Sequence, residues 1–201
     1  VVSQMGVRRL RLTGGEPLVR AHLPRLVKML AGLPGIDDLA LTTNGILLSE
    51  QAAELRSAGL ERLNISLDTL SEETFLTISR REGLDRVLAG IAAAQRVGFR
   101  QIRLNAIAIQ GLTEDEIVPL ARFARERSLE LRFIEYMPLD AEQNWHTADV
   151  LDGAAIRRTL ELLAAPDEAF RLANAAAEIA RRLPAGAAIY DIGLMARRPS
   201  V

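Results

Sequence analysis

Val7-Arg8-Arg9-Leu10-Arg11-Leu12-Thr13-Gly14-Gly15-Glu16-Pro17 is a short apolar run that breaks into a polar, glycine-rich corner. The same event recurs along the chain, at Leu41-Thr42-Thr43-Asn44-Gly45, Asn64-Ile65-Ser66-Leu67-Asp68, Arg103-Leu104-Asn105 and Phe133-Ile134-Glu135-Tyr136-Met137-Pro138. Between these runs lie segments with apolar residues at helical spacing, such as Leu23, Leu26, Val27 and Leu30. Strand and helix alternating in this way predict an α/β fold with parallel strands and right-handed crossovers. The expected architecture is an incomplete, TIM-like (β/α) barrel. Folds of this kind gather their sites at the carboxyl ends of the strands, where the polar clusters fall.

The expected strands cover 7–12, 38–42, 62–67, 101–108 and 130–134. The expected helices cover 22–33, 49–58, 71–78, 84–97 and 114–127, with Ser49, Ser71 and Thr113 read as their caps and Gly59 and Gly98 as stops. Segments 149–163 and 167–183 read as helices, and 187–195 as one further strand. Residues 1–163 are therefore expected to form the partial barrel, and 164–201 a helical tail without a motif.

Composition narrows the class. The chain has 201 residues, enough for one domain with a substantial core, and is 49% hydrophobic and 25% charged. Lys and Arg total 25 against 26 Asp and Glu, so bulk charge gives no reason to expect nucleic acid or an anionic membrane as partner. No apolar stretch approaches the length of a membrane span, and no secretory signal pattern occurs. The absence of cysteine excludes disulfides and thiolate metal sites and fits a cytoplasmic location. His22 and His146 are too isolated to suggest zinc. The chain opens at Val1 rather than Met, which reads as a fragment.

Because side chains alternate across a strand, parity sorts the polar residues by face. Leu63, Ile65 and Leu67 share one side, so Asn64, Ser66 and Asp68 share the other; Leu39 and Leu41 leave Ala40 and Thr42 opposite. The same rule turns Arg9, Arg11, Arg103 and Asn105 inward and Leu10 and Leu12 toward the helices. Such an interior is too polar for a barrel core built from branched apolar residues. Two inward arginines without adjacent acids call for an anionic ligand, and the guanidinium fork suits phosphate. Gly14 and Gly15 let a ligand approach the backbone, and Glu16 adds a carboxylate suited to an ammonium group.

Each motif also has a plainer reading. The glycine pair and Asn44-Gly45 could be ordinary turns, Ser66 and Asp68 helix caps, Arg103 half of an ion pair, and Met137 a packing residue. Their joint placement at successive strand ends outweighs these readings. Dinucleotide, P-loop and Ser-His-Asp signatures are missing, and nothing in the spacing of Glu16, Asp68 and Glu135 favours glycoside hydrolysis.

Arg11-Leu12-Thr13-Gly14-Gly15-Glu16-Pro17, followed by Leu18-Val19-Arg20, resembles the second signature of radical S-adenosylmethionine enzymes, and Thr42-Thr43-Asn44-Gly45 and Ser66-Leu67-Asp68 are similar to their next two strand ends. Arg132-Phe133-Ile134-Glu135-Tyr136-Met137-Pro138-Leu139 and Trp145 resemble the GTP 3′,8-cyclase family of molybdenum cofactor biosynthesis, over roughly residues 7–160. The resemblance implies a radical SAM core. It also implies conversion of GTP to (8S)-3′,8-cyclo-7,8-dihydroguanosine 5′-triphosphate through a 5′-deoxyadenosyl radical generated at a [4Fe-4S] cluster. By resemblance, Gly15, Ser66 and Met137, with Glu16, would contact S-adenosylmethionine, while Arg11, Thr42 and Arg103 would contact GTP. The family pattern has lysine where Arg103 stands, so the charge is kept and the shape is not. The family holds its clusters with cysteines, and this chain has none. The implied protein is a fragment, a truncated gene product or a cluster-less relative that cannot run the radical step alone. Its unpaired sheet edges predict oligomerisation, with a homodimer as the simplest form. Alternatives are a peptide-maturing radical S-adenosylmethionine enzyme and a non-catalytic nucleotide-binding remnant.

Overall fold

A computed structural model describes residues 6–136 and 147–163. Five strands form one sheet in the order β1 (Arg9–Leu12), β2 (Asp38–Thr43), β3 (Arg62–Ser66), β4 (Gln101–Ala108) and β5 (Glu130–Glu135). Neighbours in space are neighbours in sequence, as short right-handed crossovers require. β1 pairs with β2 and β2 with β3, both in parallel; Arg11 lies beside Ala40, and Thr42 lies beside Asn64. The helices are α1 (Leu23–Ala31), α2 (Leu48–Ser57), α3 (Glu72–Ser79), α4 (Leu84–Arg96), α5 (Ile117–Glu126) and α6 (Gly153–Leu163). The expected α/β class is observed.

The described residues divide into two compact units, 6–67 with 83–103 and 68–82 with 104–136 and 147–163. In the first, Leu39, Leu41, Leu63 and Ile65 of the sheet are buried, as are Leu48, Ala52 and Leu55 of α2 and Val87, Ile91 and Ala94 of α4. Burying each larger aliphatic side chain stabilises the fold by about 1.5–3 kcal/mol. Gly90 lets α4 approach closely: a Cβ there would stand 2.7 Å from the Gly45 carbonyl oxygen and 3.0 Å from Leu48 Cβ. In the second unit, Leu104, Ala106 and Ala108 of β4 and Leu131 and Phe133 of β5 are buried, with Ile117, Leu120, Ala121 and Ala124 of α5 and Ile156 and Leu160 of α6. β4 alternates buried and half-buried residues along its whole length, which is the two-residue period of a strand with one packed face. β2 is buried on nearly every residue because strands flank it on both sides.

Several boundaries differ from expectation. α1 begins at Leu23, with His22 left-handed at φ 58° outside it. Ser49 is not a cap, because α2 starts at the fully buried Leu48 and no side chain caps it. Thr113 does not cap a helix over 114–127 either. Its Oγ1 donates to the Ile107 carbonyl and accepts from Ile109 N–H, and a 3₁₀ turn over Glu114–Glu116 precedes α5. Ser71 does cap α3, accepting from Thr74 N–H. α6 starts four residues later than 149, where Asp152 accepts from Ala155 N–H at 2.6 Å. Leu10 and Leu12 are only half-buried. The expected segments over 167–183 and 187–195, with the tail 164–201, lie outside the described residues, as do Met137, Trp145 and His146.

Candidate functional site

In the first unit, the corner after β1 is built around Glu16. Its Oε1 accepts from Leu18 N–H at 3.0 Å and from the Thr43 hydroxyl at 2.6 Å, and its Oε2 accepts from Asn44 N–H at 2.7 Å. One carboxylate thus clasps the β1 corner to the β2 corner with charge-assisted hydrogen bonds. Thr43 Oγ1 accepts in turn from Gly45 N–H, and Asn44 Oδ1 accepts from Ile46 N–H. Gly45 takes φ +80°, which a side chain rarely adopts, and α4 backs it at Gly90. Gln51 of α2 donates to the Leu18 carbonyl and ties down the 3₁₀ turn Pro17–Val19. Gly15 is exposed, and nothing stands within 4 Å of where its Cβ would be.

One face of the sheet carries a hydrogen-bonded row. Asn64 is 6% exposed; its Nδ2 donates to Thr42 Oγ1 at 3.4 Å, and its Oδ1 accepts from the Arg103 guanidinium at 3.5 Å. Parallel register places Arg11 beside the small, buried Ala40, and its guanidinium makes no ion pair with any described residue. Ser66 is exposed at the end of β3 and caps nothing. The parity argument therefore places Arg11, Thr42, Asn64, Ser66 and Arg103 on this face of the first unit. Met137 lies outside the described residues.

Sequence reasoning left two features unassigned. At the amino ends of the strands, the Arg62 fork grips the carboxylate of Asp38, which is 8% exposed. Arg100 adds a second contact to Asp38, and Arg62 reaches Gln101 Oε1 at 3.3 Å. Asp38 is thereby held by Arg62 and Arg100, and no ion pair to Arg11 occurs among the described residues. The second feature is Asn64, whose bridging role follows from its position between Thr42 and Arg103 rather than from its type. Adjacent strands at the same level would have signalled it.

In the second unit, Asp68 Oδ1 accepts from Ile107 N–H at 2.7 Å, so this residue joins two strand ends and does not cap α3. Burial pushes its carboxyl above the usual range, and the Ile107 hydrogen bond partly offsets the shift. Glu135 accepts from Gly153 N–H at the start of α6. Burial raises its pKa as well; that hydrogen bond opposes the rise, and the neighbouring Asp152 charge adds to it. Among the described residues, no group of three or more His, Cys, Asp or Glu could hold a metal ion, and no helix is long and apolar enough to cross a membrane.

Sequential strands, parallel from β1 through β3 and carrying a row of polar and cationic residues on one face, define an α/β protein of the β/α type. The family model of the radical SAM superfamily matches residues 2–124, and the chain belongs to that superfamily. It is 56% identical over 160 residues to a GTP 3′,8-cyclase of Rhodopirellula baltica, covering 80% of this chain and 45% of the relative. A GTP 3′,8-cyclase of Acidothermus cellulolyticus is 53% identical over 152 residues, covering 75% of this chain and 42% of the relative. The chain spans under half the length of these curated relatives. Among solved structures, methylornithine synthase superposes with a TM-score of 0.62 at 15% identity, covering 78% of this chain and 48% of that one. That likeness bears on the fold alone, and it agrees with a partial barrel.

Proposed function

We propose that this chain is the nucleotide-holding part of a GTP 3′,8-cyclase acting in the cytoplasm in molybdenum cofactor biosynthesis. The observation that carries the reading is the row Thr42–Asn64–Arg103 on the same sheet face as Arg11, which makes no ion pair among the described residues. Arg11 and Arg103 supply positive charge for the GTP phosphates, and the Thr42 hydroxyl supplies a donor and an acceptor. S-adenosylmethionine would take Gly15, Ser66 and Met137. Gly15 offers open space beside its backbone and Ser66 an exposed hydroxyl. Glu16 contributes indirectly, since its carboxylate already holds the two corners that present Gly15 and Thr42.

The [4Fe-4S] clusters of the superfamily do not fit the residues present. No cysteine occurs among the 201 residues, and no described cluster of ligating side chains replaces the thiolates. No reductive step is therefore derived for this chain. The same composition favours a second reading for the chain taken by itself, nucleotide binding without turnover.

Calorimetric titration tests the proposal. GTP and S-adenosylmethionine are expected to bind separately, with Arg11→Ala and Arg103→Ala each weakening GTP about 10-fold, less at high salt. Binding of neither nucleotide, or no effect of both arginine variants, would refute it. Addition of reductant to both substrates is expected to yield no cyclised product. Sedimentation tests the homodimer, for which β1 and β5 offer the sheet's outer edges.

A further inference from the structure

Closer to the amino ends of the strands than the row Thr42–Asn64–Arg103, the first unit carries a second rung on the same sheet face. Asp38, Arg62 and Gln101 share strand parity with Thr42, Asn64 and Arg103 in turn. They are bonded in the same order: the Arg62 fork grips the Asp38 carboxylate, and its other arm reaches Gln101 Oε1 at 3.3 Å. Arg62 and Asn64 stand two residues apart on β3, so the rungs lie about 7 Å apart there. Among the described strand residues on this face of the first unit, Asp38 is the one acid, and it is buried.

A buried ion pair is a poor way to stabilise a fold, because desolvation of both charges offsets their attraction. The chemistry of this pair points to another use. A guanidinium fork takes phosphate and carboxylate oxygens with the same bidentate geometry. The Arg62 side chain is 22% exposed, so the fork is not sealed from solvent. Asp38 therefore occupies the place that a phosphate would take on Arg62. Arg100 also reaches Asp38, but it is 59% exposed and shared with Glu61, which leaves Arg62 as the main partner. An open Arg62 fork would draw a polyphosphate one rung deeper, away from Thr42 and Arg103.

We propose that Asp38 is a positioning residue that sets how deep an anion binds: its carboxylate fills the Arg62 fork, withholds that guanidinium from incoming anions and confines a polyphosphate to the upper rung. This rests on the reading above that the upper rung takes the phosphates of GTP. Asp38 acts on the ligand through Arg62 and does not touch it.

The test is titration of the full 201-residue chain with GTP and with inorganic tripolyphosphate. Asp38→Asn removes the charge that fills the fork and is expected to strengthen tripolyphosphate binding about 10-fold. In that background Arg103→Ala is expected to cost under about 3-fold, against about 10-fold in the otherwise wild-type chain, because the anion has moved to Arg62. A merely structural pair predicts unchanged or weaker binding in Asp38→Asn and an undiminished Arg103→Ala loss; either result would overturn the inference. Nuclear magnetic resonance of the arginine Nε–H groups asks the same question of the wild-type chain. Tripolyphosphate is expected to shift the Arg103 signal and leave the Arg62 signal in place. A shifted Arg62 signal would overturn the inference, whether or not Asp38→Asn folds. Tripolyphosphate giving this pattern while GTP fails to bind would refute the cyclase reading and uphold the inference. Binding of neither anion to any of these chains would overturn both.

Discussion

Replacing Gly90 with alanine should destabilise this protein, against the usual rule for a glycine inside a helix. In an ordinary helix interior, glycine to alanine gains about 1 kcal/mol through backbone entropy. Here the added Cβ would stand 2.7 Å from the Gly45 carbonyl oxygen, whereas a carbon–oxygen contact settles at about 3.3 Å or beyond. Leu48 Cβ lies 3.0 Å away on the same side, so sliding past the oxygen meets a second wall. Both obstacles belong to rigid parts, a backbone carbonyl and the first residue of α2. Relief therefore requires α4 to back away from α2, loosening Val87 and Ile91, which are 0% and 1% exposed. Overpacking of this kind costs about 1–3 kcal/mol, and backbone contact puts it at the upper end. Subtracting the helical gain leaves a loss of about 1–2 kcal/mol, or about 2–8 °C in melting temperature for a chain of this size. Thermal unfolding followed by far-ultraviolet circular dichroism measures it. A variant that melts higher than the wild type would refute the claim that α4 seats the Thr43-Asn44-Gly45 corner.

Other outcomes follow from the same geometry. Glu16→Gln turns an amide NH₂ toward groups that only donate to this site; a loss of about 2 kcal/mol is expected in urea unfolding, and a midpoint equal to wild type would count against the clasp. Asp68→Asn probes the raised carboxyl. Because the folded protein holds that proton more tightly than the unfolded chain, stability from this group is full below pH 3.8 and declines as pH rises through the folded value. The asparagine variant keeps an acceptor for Ile107 N–H and should lose that decline; parallel urea titrations at several pH values decide it, and identical slopes would reject it. Anaerobic reconstitution with iron and sulfide should leave only background iron on the purified chain, and a stable four-iron cluster would overturn the thiolate argument.

The α/β class, the five strands and the helices between them were legible in the sequence, because each depends on spacing that a strand or helix imposes on its own residues. Parity likewise placed Thr42, Asn64 and Arg103 on one face, since a pleated strand alternates whatever it packs against. Caps were less legible. Ser49 and Thr113 have suitable chemistry, but a buried Leu48 and the ends of β4 competed for the same positions and prevailed.

What only the tertiary structure decided is which polar groups are used up and which are left over. Glu16 looked free for an ammonium until Thr43 and Asn44, 27 and 28 residues away, were seen to hold it. Asp38 starts β2 as the sequence suggests, but only the fold shows its carboxylate held by Arg62 and Arg100. Local sequence specifies direction and face, because those follow from backbone geometry. Hydrogen-bond satisfaction is settled between distant segments, and among the described residues it leaves the Arg11 charge and the Asn105 oxygen unspent.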